Sequence, residues 1–283
     1  MLRNICLDFL IAILVSGACI TAGAALERNS PGGGGRPSSL VFNSLYASLA
    51  LATQAIVMPA AAGLTTLAVG ATTGGLLSLP TRGWGLLGGA ALYIVVMDLG
   101  EYLFHRAQHA IPQLWALHSF HHSDAALNVS TTVRQHWLDY ILKSVTIYLV
   151  VGLLIHTNLA VVTIFTAFSF YNYFSHTDVD VGFGRFSWVL NSPNYHRLHH
   201  SRLPQHFQTN YAALFPIFDV ISGSYLQPRR GERPPTGLDT GAEPTTLLDA
   251  MLWPTRTARR GARAPVGASE ASSGEVGLRR LQP

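Results

Sequence analysis

The chain has 283 residues, of which 48% are hydrophobic and only 12% are charged, about half the charged fraction of an ordinary soluble domain. This composition excludes a soluble globular protein, which needs more ionic surface, and a disordered chain, which needs low hydrophobicity. The formal net charge of +4 comes mainly from arginines near the C-terminus, so the apolar body offers no basic face to a nucleic acid. The composition is that of an integral membrane protein.

The first part of the chain contains two apolar stretches joined by a linker. Residues 5–26 are long enough for a membrane span, and their small residues near the end also suit a cleaved signal peptide. A Gly/Pro/Ser-rich linker follows, so residues 1–39 combine an apolar segment with a linker. Residues 40–79 are apolar or small, but Pro59 and two later glycines leave one long helix and a broken pair of helices both open.

The next predicted span, residues 83–104, carries Asp98 and Glu101 near its end. Ionisable groups inside membrane segments are costly and are functional candidates for that reason. After a histidine-rich polar segment, the apolar runs 138–155 and 159–174 predict a helical hairpin. The two ends of a hairpin lie on one side of the membrane, so this hairpin returns the chain to the side of those histidines.

These elements predict an all-α integral membrane protein with about four transmembrane helices and a histidine-rich helical cap. Residues 40–227 are predicted to form its membrane-embedded domain, and residues 228–283 to form a disordered basic tail. Because Lys and Arg mark cytoplasmic segments, the basic tail predicts that the cap and the histidine cluster face the cytoplasm. The membrane is then the inner membrane of a bacterial cell or the endoplasmic reticulum of a eukaryotic one.

Histidine is the residue that stands out, with 12 copies in so apolar a chain. Eight of them form the clusters His105-x-x-x-His109, His118-x-x-His121-His122 and His196-x-x-His199-His200. Residues three or four apart share a helix face, so each cluster predicts one tight patch of imidazoles. Neutral imidazole ligates iron, zinc and copper. Eight imidazoles are too many for one ion, so the clusters predict two metal ions.

The other four histidines differ in context. His176 follows the hairpin on the side of the clusters and is predicted to be a ninth ligand. His136 begins the hairpin on the same side, where a ligand role and a role in orienting a ligand are both open. His156 lies at the far turn, about a bilayer thickness away, and is predicted not to bind metal. His206 lies in a polar loop and is predicted to be on the surface.

The histidine clusters occur within longer motifs. These motifs are Asp98-x-x-Glu101-Tyr-x-x-His105-Arg-x-x-His109, Leu114-Trp-x-x-His118-x-x-His121-His122, Phe174-Ser-His176, Pro193-x-x-His196-Arg-x-His199-His200 and Asn210-Tyr, ending near Asp219. In this order and spacing they resemble the histidine boxes of the fatty acid hydroxylase and sterol desaturase superfamily of membrane oxidases. The resemblance covers about residues 93–225, roughly half of the chain.

The resemblance implies a metal centre of two iron ions near the cytoplasmic membrane face, with O2 as co-substrate and a lipid such as a sterol or fatty acid entering from the bilayer. The implied iron ligands are His105, His109, His118, His121, His122, His176, His196, His199 and His200. Metal-bound imidazoles need acceptors for their second ring N–H, so His136, Asp98 and Asp219 are candidates for a ligand or an orienting role.

An O2-dependent oxidation follows from this ligand set. No side chain attacks an unactivated C–H bond, so a redox metal and O2 must supply the oxidant, and both hydroxylation and desaturation are open. A zinc-dependent membrane hydrolase is one alternative, although its common H-E-x-x-H motif does not occur in the sequence. A haem electron-transfer protein is another, although it needs single histidines that face each other across spans.

The predicted partners are the lipid, the membrane and an electron-donor protein of the ferredoxin or cytochrome b5 type. A separate donor is required because the sequence shows neither a Gly-rich dinucleotide fingerprint nor a cysteine set for an iron–sulfur cluster. A nucleic acid is not among the expected partners.

Overall fold

The computed structural model describes residues 2–30, 37–72 and 74–255, and these residues are mostly helical. The helices are α1 (Leu2–Glu27), α2 (Pro37–Gly70), α3 (Gly83–Ala110), α4 (Pro112–His122), α5 (Trp137–Lys143), α6 (Leu149–Leu154), α7 (Leu159–Ser169), α8 (Tyr171–Ser175), α9 (Pro193–His199), α10 (Ile217–Ser222) and α11 (Leu247–Met251). A π-helical turn, Ser144–Tyr148, joins α5 to α6. Short 3₁₀ turns occur at Val129–Val133, Gly184–Phe186 and Pro204–His206. The strands β1 (Leu77–Ser78) and β2 (Ile155–His156) pair in parallel.

Four helical segments of the described chain are long and apolar enough to cross a membrane. They are Leu10–Glu27, Pro37–Gly70, Gly83–Ala110 and Trp137–Leu154, whereas the apolar helix Leu159–Ser175 is shorter. Large apolar side chains on the outer faces of these segments are exposed, for example Ile56 at 81% and Leu67 at 72%. An apolar surface of this extent suits contact with lipid rather than water. The prediction of an all-α membrane protein with about four spans is confirmed.

α2 is one continuous helix of 34 residues with Pro59 inside it. Membrane helices tolerate proline because neighbouring groups satisfy the freed backbone carbonyl. The helix ends at Gly70, and Gly75, with φ +113°, then passes close to β2. A Cβ at this position would lie 2.4 Å from the backbone nitrogen of His156, so the turn requires glycine. The exposed His156 lies in β2, outside both of the histidine groups described below.

The C-terminal end of α1 is fixed to the part of the chain that carries the histidines. The buried carboxylate of Glu27 accepts backbone N–H groups from Val129 at 2.7 Å and from Asp178 at 2.8 Å. One turn earlier, Gly23 packs directly against the Val129 side chain. A single carboxylate therefore ties α1 to two segments that follow histidine motifs.

Residues 228–255 are packed against the domain, so the prediction of a disordered tail from residue 228 is wrong for them. Ala250 and Trp253 are buried against α2 and α4, and the Trp253 indole N–H donates to Ser119 Oγ at 2.9 Å. The prediction rested on the Pro- and Arg-rich composition of the segment. Its few apolar residues are buried because the folded protein provides a surface on α2 and α4 against which they pack. Residues 256–283, the rest of the predicted tail, lie outside the described residues.

Candidate metal centre

Three helices and one helix end bring the nine predicted ligands together. His105 and His109 lie on the last turns of α3, and α4 begins immediately with Pro112 at its first position, where proline's missing N–H costs no hydrogen bond. α4 carries the second cluster, α9 carries the third, and His176 ends α8. The sharp α3–α4 connection turns the second cluster back onto the first.

The nine histidines form two groups, and within each group the ligand nitrogens lie within 4.8 Å of one another. The five-histidine group consists of His105, His109, His118, His122 and His199. The four-histidine group consists of His121, His176, His196 and His200. The structure thus places two potential metal positions side by side, with sufficient imidazoles for each.

The two groups divide the clusters in a way that the spacing alone does not reveal. His118 and His122, four residues apart, share a group, whereas His121 belongs to the other group. In the third cluster His196 and His200 share a group and His199 belongs to the other. With 3.6 residues per turn, residues i+3 and i+4 point about 100° apart. The expectation of a single patch per cluster is therefore wrong.

Backbone carbonyls orient two imidazoles of the five-histidine group. His105 Nδ1–H donates to the Tyr211 carbonyl at 2.7 Å, and His199 Nδ1–H donates to the Thr209 carbonyl at 2.8 Å. The Nε2 atoms of both residues are buried and have no hydrogen-bond partner in the described part of the chain. The same holds for both ring nitrogens of His109 and of His118. Buried polar atoms are rarely left unpaired, and one ring nitrogen of each of these histidines lies within 4.8 Å of the others.

In the four-histidine group the Nε2 atoms approach one another. The Nε2 atoms of His176 and His121 are 3.2 Å apart, those of His196 and His176 are 2.9 Å apart, and those of His200 and His196 are 3.1 Å apart. His176 Nδ1–H donates to the Asn172 carbonyl at 2.7 Å, which leaves its Nε2 lone pair for the centre of the group. Converging lone pairs are unfavourable unless a cation binds them, so this group also fits a metal ion.

Burial keeps these imidazoles neutral, as metal ligation requires. Removal from water lowers the pKa of His176 and His199 to about 4 and that of His122 well below its usual range. Desolvation disfavours the charged form of histidine. The imidazoles are therefore unprotonated at neutral pH, with their lone pairs available.

Asp98 and Asp219 belong to neither group but hold the segment that orients the imidazoles. Asp98 accepts the N–H groups of Leu214 and Phe215, each at 2.9 Å. Asp219 accepts the N–H groups of Tyr211 and Ala212 at 2.9 and 2.8 Å, together with the Tyr195 hydroxyl. The two carboxylates therefore accept no hydrogen bond from an imidazole of the described chain. They hold the backbone near residues 209 and 211, whose carbonyls accept the N–H groups of His199 and His105.

Two other histidines lie outside both groups. His136 caps the N-terminus of α5, and its Nε2–H donates to the Met251 carbonyl at 3.0 Å, so it has a role in holding the C-terminal segment. His206 is 3% exposed, and its Nδ1 lies 2.9 Å from Ser201 Oγ. The prediction that His206 is on the surface is wrong because residues 232–236 cover the loop that carries it.

A cavity of about 410 Å³ adjoins both groups. His105 and His118 of the first group and His176 and His196 of the second group line it. Phe165 and Phe168 of α7 and Phe170, which follows α7, also line it. Lys143 and Glu101 also line the cavity. Lys143 was not among the predicted site residues, although a single lysine inside an apolar run is a usable signal.

Comparison with known proteins agrees with this geometry. The family model described as "Fatty acid hydroxylase" matches residues 90–224, a range that contains all nine histidines. This segment is a fatty acid hydroxylase domain. The predicted family resemblance is confirmed.

Curated relatives of the hydroxylase domain are lipid-modifying enzymes by name. The human alkylglycerol monooxygenase is 35% identical over 130 residues, which is 46% of this chain and 28% of the human protein. The ornithine lipid hydroxylase OlsE of Rhizobium tropici is 28% identical over 189 residues, 65% of this chain and 55% of OlsE. A very-long-chain aldehyde decarbonylase of Oryza sativa subsp. japonica is 26% identical over 147 residues, 46% of this chain and 23% of that protein. No solved structure is a significant match.

The chain therefore spans less than a third of the length of the alkylglycerol monooxygenases and about half that of OlsE. Residues 90–224, which match the family model, contain both histidine groups and the residues that line the cavity.

Proposed function

We propose that the protein is a membrane monooxygenase that hydroxylates a C–H bond of a lipid, with two iron ions held by the nine histidines. The observation that carries the proposal is the pair of buried imidazole groups beside a lipid-sized cavity. Histidines suit iron as well as zinc and copper, and the hydroxylase and monooxygenase names of the relatives favour iron and O2. Bound iron would transfer electrons from a donor to O2.

The proposed reaction consumes the lipid R–H, O2, two electrons and two protons, and yields R–OH and water. The five-histidine and four-histidine groups hold the metal ions, and Tyr211 and Thr209 orient two of the ligands through their carbonyls. The cavity wall formed by Phe165, Phe168 and Phe170 holds the apolar part of the lipid and excludes water. Hydroxylation rather than desaturation is proposed because the hydroxylase and monooxygenase relatives are named for oxygen insertion.

The electrons come, in this proposal, from a separate donor of the ferredoxin or cytochrome b5 type. Exposed arginines on the cap, among them Arg185, Arg202, Arg229 and Arg230, offer an acidic donor a docking surface. The same positive charge supports a cytoplasmic position for the cap.

Metal analysis and isotope incorporation test the proposal. The purified wild-type protein is expected to contain about two iron ions per chain, whereas a variant with both His199→Ala and His200→Ala is expected to lose them. With reductant and ¹⁸O2, wild-type membranes should incorporate one labelled oxygen atom per lipid product, detected by mass spectrometry. One zinc and no iron from iron-supplemented cells would favour a hydrolase. A Soret band would favour a haem protein.

A further inference from the structure

Lys143 forms a charged cluster inside a candidate membrane span. It ends α5, within the segment Trp137–Leu154, and its side chain is only 17% exposed. Its ammonium nitrogen lies 2.8 Å from Glu101 Oε2 and 3.5 Å from Asp139 Oδ2. The other Asp139 oxygen accepts a hydrogen bond from the Gln108 amide. Charges inside a membrane segment are expensive and are retained where they have a function.

The cluster faces the same cavity as the histidines. Glu101, Gln108 and Lys143 line the cavity together with His105 and His118. Glu101 precedes His105 by four residues on α3, so their Cβ atoms lie roughly 5–6 Å apart. A molecule that contacts Lys143 therefore has its neighbouring atoms close to the five-histidine group. The π-helical turn that follows Lys143 is a feature found frequently at functional sites.

The charges and donors of the cluster indicate what kind of group it can bind. One ammonium is matched by two carboxylates, so the cluster holds no excess positive charge for an anionic ligand. An ammonium has three N–H donors, and Glu101 and Asp139 occupy at most two of them. The remaining donor suits an uncharged acceptor oxygen in the cavity.

We propose that Lys143 is a specificity-determining residue that donates a hydrogen bond to a neutral oxygen of the lipid, namely a hydroxyl, ether or ester oxygen. The reacting carbon then lies near this oxygen rather than far along the hydrocarbon chain. Free fatty acid carboxylates are disfavoured by the two cluster carboxylates. This inference rests on the proposed function and specifies the substrate class of the same site.

Binding of three matched probes tests the inference. Tritiated hexadecanol, hexadecanoate and hexadecane have the same chain length and differ only in the polar end. Iron-loaded full-length protein in nanodiscs is expected to bind hexadecanol on the order of tenfold more tightly than hexadecane, and also more tightly than hexadecanoate. In Lys143→Met the affinity for hexadecanol should fall about tenfold, whereas the affinity for hexadecane should not change.

A second variant controls for misfolding. Lys143→Met alone leaves the carboxylates of Glu101 and Asp139 without their cation, which could destabilise the fold. Combining Lys143→Met with Glu101→Gln removes one charge of each sign and keeps the net charge of the cluster. Val150→Met, at a side chain on α6 that is 54% exposed, is the matched control and should bind all three probes as the wild type does.

Three results would overturn the inference while leaving the proposed function intact. The first is an iron-loaded double variant that binds hexadecanol as tightly as the wild type. The second is an equal loss of hexadecane and hexadecanol binding, which indicates a structural role. The third is a wild-type preference for hexadecanoate that depends on Lys143. Wild-type protein that holds no iron and binds none of the probes would overturn both proposals.

Discussion

Two adjacent histidines, His199 and His200, belong to different histidine groups, and single substitutions should separate the two proposed metal sites. His200→Ala reduces the four-histidine group to three imidazoles, whereas His199→Ala reduces the five-histidine group to four. Four nitrogen ligands still make a complete site for a four-coordinate ion. The His200→Ala variant should therefore lose one metal ion readily, and the His199→Ala variant should lose its metal ion only under stronger competition.

The size of the effect follows from the role of each side chain. Substitution of residues that merely orient metal ligands already lowers metal affinity about 10- to 100-fold. Removal of a ligand from the four-histidine group should cost at least about 100-fold, or roughly 3 kcal/mol. At a chelator concentration that leaves the wild type loaded, the His200→Ala variant should retain about one iron ion per chain, because the five-histidine group stays intact.

The assay is iron content after dialysis against a graded chelator series, with Mössbauer spectra to show which iron environment remains. His156→Ala is the matched control, because it removes an exposed histidine in β2, outside both groups. Loss of both ions at one chelator concentration in both variants would refute the division into two groups. Loss of iron from the His156→Ala variant would show that the effect is not specific to the site.

Three further substitutions probe the parts of the fold that support the centre. Asp219→Asn should lower the free energy of unfolding by about 1–3 kcal/mol and weaken iron binding near His105; an unchanged iron affinity would exclude an orienting role. Glu27→Ala leaves two backbone N–H groups unpaired and should cost about 2–6 kcal/mol, measured by thermal unfolding in detergent. Trp253→Ala should cost about 3–5 kcal/mol and expose the C-terminal segment to proteolysis. Leu252→Ala, at a side chain that is 44% exposed, is its control and should remain resistant.

The features of this protein that depend on local sequence could be predicted from the sequence. The hydrophobic runs and the scarcity of charge predict membrane helices, because a helix that crosses lipid must satisfy its own backbone and present apolar side chains along its length. The histidine spacing likewise identifies eight of the nine histidines that the structure brings together, since imidazoles three or four residues apart on a helix are neighbours before any tertiary contact forms.

The features that depend on contacts between residues far apart in the chain could not be predicted from the sequence. His206 was expected on the surface, but residues 232–236 cover it. Lys143 was not predicted to have a role, although its ammonium forms an ion pair with Glu101 on another helix. Residues 228–255 were predicted to be disordered because their composition is polar, but Trp253 packs against α4. Each of these outcomes depends on surfaces that exist only after the helices have packed.

The sequence by itself determined the class of the protein, its helical architecture and the set of imidazoles near the centre. The tertiary structure decided how that set divides, because the i+3 and i+4 histidines of a cluster point about 100° apart and only helix packing determines what each one meets. The tertiary structure also determines the role of Asp98 and Asp219. Their carboxylates accept backbone N–H groups of residues 211–215 and hold this segment beside the histidine groups. A carboxylate's role depends on which N–H groups reach it, and folding alone brings those groups within hydrogen-bond distance.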